Sequence, residues 1–234
     1  MAPIRFSGIA IGLFTIAALA TQAAAQGTQS GILTNIEVRQ LIARGDPADH
    51  ARLRGHFTTL ADQYDADARQ HNAMARAFLL NPGRRVAANR SSDHCKRLED
   101  LAAQSAATVR ELAVHHGRLA AGIPSTAPNN SAPFEAGEGA RVAWNHEKEI
   151  HDLAANARTA ADHRAIEEYF ESIEQQYSAA VNEHTAMAQA YRAVPRRSGD
   201  PAAHCDRLVR ISREAAKEAG AVAAEHKQAA DATK

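Results

Sequence analysis

The sequence predicts an all-α protein made of two duplicated helical hairpins, packed as an antiparallel four-helix bundle with a short helix before each hairpin. Three observations predict it. Alanine is abundant, aromatic residues are only 5% of the chain and β-branched residues are sparse, a balance that favours helix. The chain also repeats itself: residues 49–78, from Asp49-His50 to His71-Asn72-Ala73-Met74-Ala75-Arg76-Ala77-Phe78, recur as residues 162–191, ending His184-Thr185-Ala186-Met187-Ala188-Gln189-Ala190-Tyr191. His94-Cys95-Lys96-Arg97-Leu98 recurs as His204-Cys205-Asp206-Arg207-Leu208, and His116 as His226. Finally, apolar and histidine side chains fall on alternating three- and four-residue steps, the stripe of a bundle helix. In the first half these are His50, Leu53, Phe57, Leu60, Tyr64, His71, Met74 and Phe78; in the second they are His163, Ile166, Phe170, Ile173, Tyr177, His184, Met187 and Tyr191.

Taken in order, residues 1–25 read as a signal peptide. Arg5 gives the positive start, Gly8 to Ala20 the apolar stretch, and Ala23-Ala24-Ala25 the small-residue cleavage pattern. Cleavage near Ala25 and export to the periplasm or beyond are expected, and no later segment is long and apolar enough for a membrane span. A flexible N-terminus, 26–33, leads into the first repeat, 34–121. Its short helix is 34–44. Asp46-Pro47-Ala48-Asp49 supplies an N-cap, a proline at the first helical position and an acid at N3, starting a long helix to about Leu79. Pro82-Gly83 and the arginine-rich stretch to Arg90 read as a loop, and a second helix as 91–121. Residues 122–139, with Pro124, Pro128 and Pro133, read as a linker. The second repeat, 140–230, follows with a short helix over 140–157, a capping signal at Thr159–Asp162, a long helix over 160–193, a turn at Pro195–Gly199, and a last helix opened by Asp200-Pro201. Residues 231–234 are a tail.

Charge excludes one class of function. Residues 1–25 hold one arginine and no acid, so 26 basic and 27 acidic residues remain without them, and nothing in that balance attracts nucleic acid. Arg84-Arg85 and Arg196-Arg197 read as solvated loop charge.

Histidine spacing carries the functional signal. Eight of the 12 histidines, both cysteines and two of the three methionines stand at duplicated positions. His50 and His71 are 21 residues apart, His94 and His116 are 22 apart, and the second half repeats both intervals. In an antiparallel hairpin one register therefore levels His71 with His94 and His50 with His116, giving two polar layers roughly 30 Å apart. With the helix ends placed as above, the register needs an offset of about 7 Å between the helices.

The layer nearer the loops would gather His71, Met74, His94 and Cys95, with His184, Met187, His204 and Cys205 as counterparts. His50, His116, His163 and His226 make the other layer. Imidazole, thioether and thiolate donors suit copper or zinc rather than magnesium or calcium. The competing reading is that these are core side chains with ordinary hydrogen bonds. Haem b is a lesser alternative: no C-x-x-C-H is present, and few aromatics could line a pocket. Cys95 and Cys205, in an oxidising compartment, read first as a disulfide, next as free thiol ligands and last as inert thiols. His56, His115, His146 and His151 lack a counterpart and read as solvated surface residues. No Gly-rich phosphate loop, H-E-x-x-H or catalytic triad emerges, so an enzyme is the weakest class.

The pattern H-x-x-M-A-x-A-[FY], then an Arg/Gly/Pro loop, then H-C-x-R-L, resembles a set of exported helical proteins of proteobacteria. The resemblance covers roughly residues 46–121 and 159–230 and implies export and a helical hairpin, but no reaction. One departure stands out: His115 corresponds to Glu225 in the other half. The expected function is sequestration or buffering of copper or zinc in the periplasm. The alternative is an exported structural or stress-adaptor bundle, chaperone-like, with pH-sensing histidines and no metal. Partners would be a metal ion, a second copy or a periplasmic protein.

Overall fold

The computed structural model describes residues 32–81, 85–123, 147–194 and 200–233. The expected signal peptide, the expected turn at 195–199 and the expected linker beyond residue 123 lie outside the described residues. So does the expected start of the second short helix, residues 140–146.

Among the described residues six helices follow one another: α1 Asn35–Arg44, α2 Pro47–Leu79, α3 Arg85–Ala120, α4 Glu147–Asn156, α5 Ala160–Ala193 and α6 Pro201–Ala232. Among the described residues none is long and apolar enough to cross a membrane.

Local chemistry explains the boundaries. Thr34 opens α1 with a reciprocal cap: its Oγ1 accepts from the Glu37 N–H at 3.3 Å, and the Glu37 carboxylate accepts from the Thr34 N–H at 2.8 Å. Gly45, at φ 70°, ends it. Pro47 starts α2 as expected, but the Asp46 side chain makes no capping bond. The acid at N3 turns elsewhere instead, and Asp49 receives the Arg44 guanidinium at 2.8 and 3.0 Å, pinning α1 to α2. Thr159 and Asp162 form a reciprocal cap on α5. Asp200 caps α6 by accepting from the Ala203 N–H at 2.9 Å.

α3 begins at Arg85, six residues before the expected start. Residues 85–90 hold no glycine or proline, and arginine and alanine are good helix formers, so nothing in this stretch keeps it out of the helix. α6 likewise continues to Ala232, beyond the expected Ala230.

α2 packs antiparallel on α3, α5 on α6, and α3 packs closely on α6. The hairpins lie head to tail. Tyr64 of α2 meets His184 of α5, and His71 meets Tyr177, so α2 and α5 also run antiparallel. The short helices cross over: α1 packs on α5, and α4 on α2. Small buried residues, Ala102, Ser105 and Ala106 on α3 with Ser212, Ala215 and Ala219 on α6, let those two helices come together. No Cα of α2 comes within 8 Å of one in α5. These two helices are held apart by tyrosine, histidine and phenylalanine side chains.

The expected seam is the core. Leu53, Phe57 and Met74 of α2, Leu98 and Leu112 of α3, Ile166 and Phe170 of α5 and Leu208 of α6 are fully buried. Each such side chain contributes about 1.5–3 kcal/mol in transfer free energy.

Candidate functional site

Two histidine pairs form, one at each end of the bundle. At the first end, His50 of α2 and His116 of α3 meet Nδ1 to Nδ1 at 2.9 Å, both buried. His116 Nε2 lies 2.7 Å from the Tyr191 hydroxyl, which α5 brings in from the other half. The Phe57 ring stacks on His116 at 5.5 Å, and His115 meets it edge-on at 5.1 Å. At the second end, His163 of α5 and His226 of α6 meet Nδ1 to Nδ1 at 3.0 Å. The position equivalent to Tyr191 is Phe78, whose ring lies 5.4 Å from His226. Ser91 Oγ stands 3.5 Å from His226 Nε2 and donates to Glu225 at 2.9 Å.

Each pair is level within its hairpin, but head-to-tail packing sends the two pairs to opposite ends, so the expected single layer of His50, His116, His163 and His226 does not form. A 2.9 Å separation needs one imidazole to donate and the other to accept, so in each pair one Nδ1 carries a proton and the other does not.

The loop-side layer does not assemble. Because α3 starts early, His94 lies nine residues into its helix and His71 eight residues before the end of α2, so they are level without any offset. They face different ways. His71 points at α5, where its Nε2 meets the Tyr177 hydroxyl at 3.4 Å. His94 points at α6, where its Nδ1 meets Glu218 at 2.5 Å. The second half repeats this: His184 Nε2 meets the Tyr64 hydroxyl at 3.1 Å, and His204 Nδ1 meets Glu111 at 2.8 Å. Arg97 and Arg207 join the same carboxylates at 3.1 and 3.2 Å. Burial works against the Glu218 charge, but the hydrogen bonds from His94 and Arg97 outweigh it and hold the carboxyl below its usual range.

Met74 and Met187 are core side chains. Cys95 and Cys205 are free, buried thiols, so the expected disulfide is absent. The packing explains it: His204 is level with Glu111, and Cys95 lies sixteen residues from Glu111 along α3, roughly 24 Å, far beyond disulfide reach. Burial pushes the Cys205 thiol up to about 12 and the Cys95 thiol up as well, so both are protonated at neutral pH. Among the described residues, no three His, Cys, Asp or Glu side chains stand together as a metal-binding group.

His56 corrects another expectation. It is 5% exposed, because α1 folds back over it and the Leu33 N–H donates to its Nδ1 at 3.1 Å. His115 and His151 are half-buried, and His146 lies outside the described residues. Burial pushes His56, His71 and His184 each down to about 4. The Nδ1 atoms of His71 and His184 are buried without a partner.

The waist between α2 and α5 was not anticipated. It holds a pocket of about 180 Å³ whose walls include Tyr64, Tyr177, Asp67 and His71. Burial raises the Asp67 carboxyl to about 6 and pushes the Tyr64 and Tyr177 hydroxyls up. The tyrosines were visible as seam residues, each seven positions before a seam histidine, but their cross-pairing depends on the packing direction. Comparison with protein-family models, curated proteins and solved structures returns no match.

Proposed function

We propose that the protein binds copper or zinc at its two buried histidine pairs and buffers the ion in an exported setting. The observation that carries this reading is the convergence of the same two nitrogens in both halves, at 2.9 and 3.0 Å. Tetrahedral zinc with bonds near 2.05 Å sets two ligating nitrogens about 3.3 Å apart, so each pair needs to open by only about 0.4 Å. Imidazole is a suitable donor for both metals, and neutral imidazole is the ligating form. Each pair also has an outer oxygen that can orient a ligand: Tyr191 beside His116 Nε2, and Ser91 beside His226 Nε2. Two protein ligands leave coordination positions open, which suits an ion that is taken up and passed on. The leader pattern of residues 1–25 supports export.

The test is elemental analysis of natively exported protein, together with copper and zinc titration of the full chain. Uptake approaching two ions per chain, reduced to one by His50→Ala or His163→Ala and abolished by both, is the expected result. A chain that arrives metal-free and takes up neither ion would overturn the reading.

A second reading, an acid-responsive adaptor without metal, is favoured by the burial of neutral His71 and His184. His71 faces Tyr177 of α5 and feels the charge of Glu99 on α3; His184 faces Tyr64 of α2 and feels His56. In that case His71→Ala with His184→Ala flattens the pH-dependence of stability and leaves any metal uptake untouched.

A further inference from the structure

The waist pocket carries a chemistry that the histidine pairs do not use. Its walls are nearly two-fold symmetric: Gln63 is matched by Gln176, Tyr64 by Tyr177 and Leu60 by Ile173. The symmetry breaks where charge enters. Asp67 stands where the other half has Ala180, and Glu183 where the first half has Gln70. Among the described residues no lysine or arginine lines the pocket. Among the described residues no hydrogen bond or ion pair reaches the half-buried Asp67 carboxylate. The buried Nδ1 of His71, in the same wall, also lacks a partner. An unpaired carboxylate in such a place is costly unless a cation joins it.

We propose that this pocket binds a small aliphatic ammonium ion, with Asp67 as its counter-ion and the Tyr64, Tyr169 and Tyr177 side chains around its alkyl body. The size fits: a cavity of about 150 Å³ accepts benzene, so 180 Å³ accommodates about six to eight non-hydrogen atoms. Tyrosine rings attract cations across their faces, and glutamine carbonyls accept ammonium hydrogens. An anion is disfavoured by two acids and the lack of a basic residue. Glu183 is exposed at the rim, so a diamine can place its second ammonium there.

Calorimetric titration of the full, metal-free chain with 1,4-diaminobutane at pH 7.5 tests the site, with butylamine and butan-1-ol as comparisons. Saturable binding of the amines but not the alcohol is expected. Asp67→Asn should weaken it at least about tenfold, the usual cost of removing a charged hydrogen-bond partner. This variant removes a half-buried, unpaired charge, so it should fold at least as well as the parent, and circular dichroism checks that. Ala180→Leu, which fills the pocket from the opposite wall, should also weaken binding. The His50→Ala, His163→Ala double variant should bind the amine normally, which separates this site from the metal reading. Absence of amine binding, equal binding by Asp67→Asn, or equal binding of the alcohol would each overturn the assignment.

Discussion

The two ends of the bundle hold the same pair of imidazoles in different company. At the His50–His116 end, the outer nitrogen of His116 meets a hydroxyl from Tyr191. At the His163–His226 end, the equivalent position is the ring of Phe78, and the polar neighbours are Ser91 and Glu225. The first end is therefore a hydrogen-bond chain that ends in a tyrosine hydroxyl and stacks on Phe57, whereas the second has a carboxylate beside it. In each case the distinguishing residue comes from the opposite half, because head-to-tail packing brings the C-terminus of α5 to one end and that of α2 to the other. Within this chain the duplication preserved the histidine pair itself. The final position of H-x-x-M-A-x-A-[FY] decides what touches it.

Acid should break the comparison most severely. His56, His71 and His184 have folded values near 4, below the unfolded value of about 6.5. The unfolded chain then binds more protons across that window, so their contribution is complete above pH 6.5 and is lost as pH falls towards 4. At pH 4.5 each costs about 2 kcal/mol. Asp67 acts oppositely: its raised value, about 6, penalises the fold above pH 6 and the penalty lifts on acidification, offsetting roughly one histidine. A net loss on the order of 5 kcal/mol between pH 7 and 4.5 should appear in urea unfolding. Hydrogen exchange at pH 5 should find the first end opening first, because His56 lies there and its counterpart is Tyr169. Uniform opening would mean that the ends are energetically alike.

Next in size is removal of one ring. His116→Ala deletes a side chain with no exposed surface, its stack on Phe57 and its bonds to His50 and Tyr191, for an expected loss of about 3–4 kcal/mol. His226→Ala, at 7% exposure and with the Phe78 ring where His116 has the Tyr191 hydroxyl, should cost about 2 kcal/mol. Equal losses would deny the outer hydroxyl any energetic role.

The hydroxyl can be tested alone. Tyr191→Phe makes the first end resemble the second and should cost about 1 kcal/mol in denaturant unfolding. If the metal reading holds, it also weakens ion binding there about tenfold, measured by competition with a chromophoric chelator. Ser91→Ala should have the smallest effect, about 0.5 kcal/mol, because its 3.5 Å approach to His226 is long.

What could be read from the sequence divides along a physical line. Helical periodicity, caps and the seam are local, and Thr159–Asp162 and Asp200-Pro201 behave as read. Height along a hairpin is also nearly local: matched intervals of 21 and 22 residues level His50 with His116 and His163 with His226. Rotation about the helix axis is not. Cys95 took the core-facing position and turned His94 outward to Glu218. The direction in which one hairpin lies on the other is less local still. It decides the Tyr–His pairs, the separation of the two cysteines and the waist pocket. His56 was misjudged for a similar reason, since α1 covers it by folding back.

The crossing of the short helices bears on ancestry. With α1 resting on α5 and α4 on α2, each repeat lends its first helix to the other. Such an exchange is what two separate copies of one repeat would make about a true two-fold axis, each completing its neighbour. The present chain then reads as a dimer whose subunits became joined end to end. Once joined, its halves were free to differ, and one could gain the acid at Asp67 while the other kept alanine. Residues 34–121 expressed alone should sediment as a homodimer, restoring a symmetry that the fused chain has since relaxed.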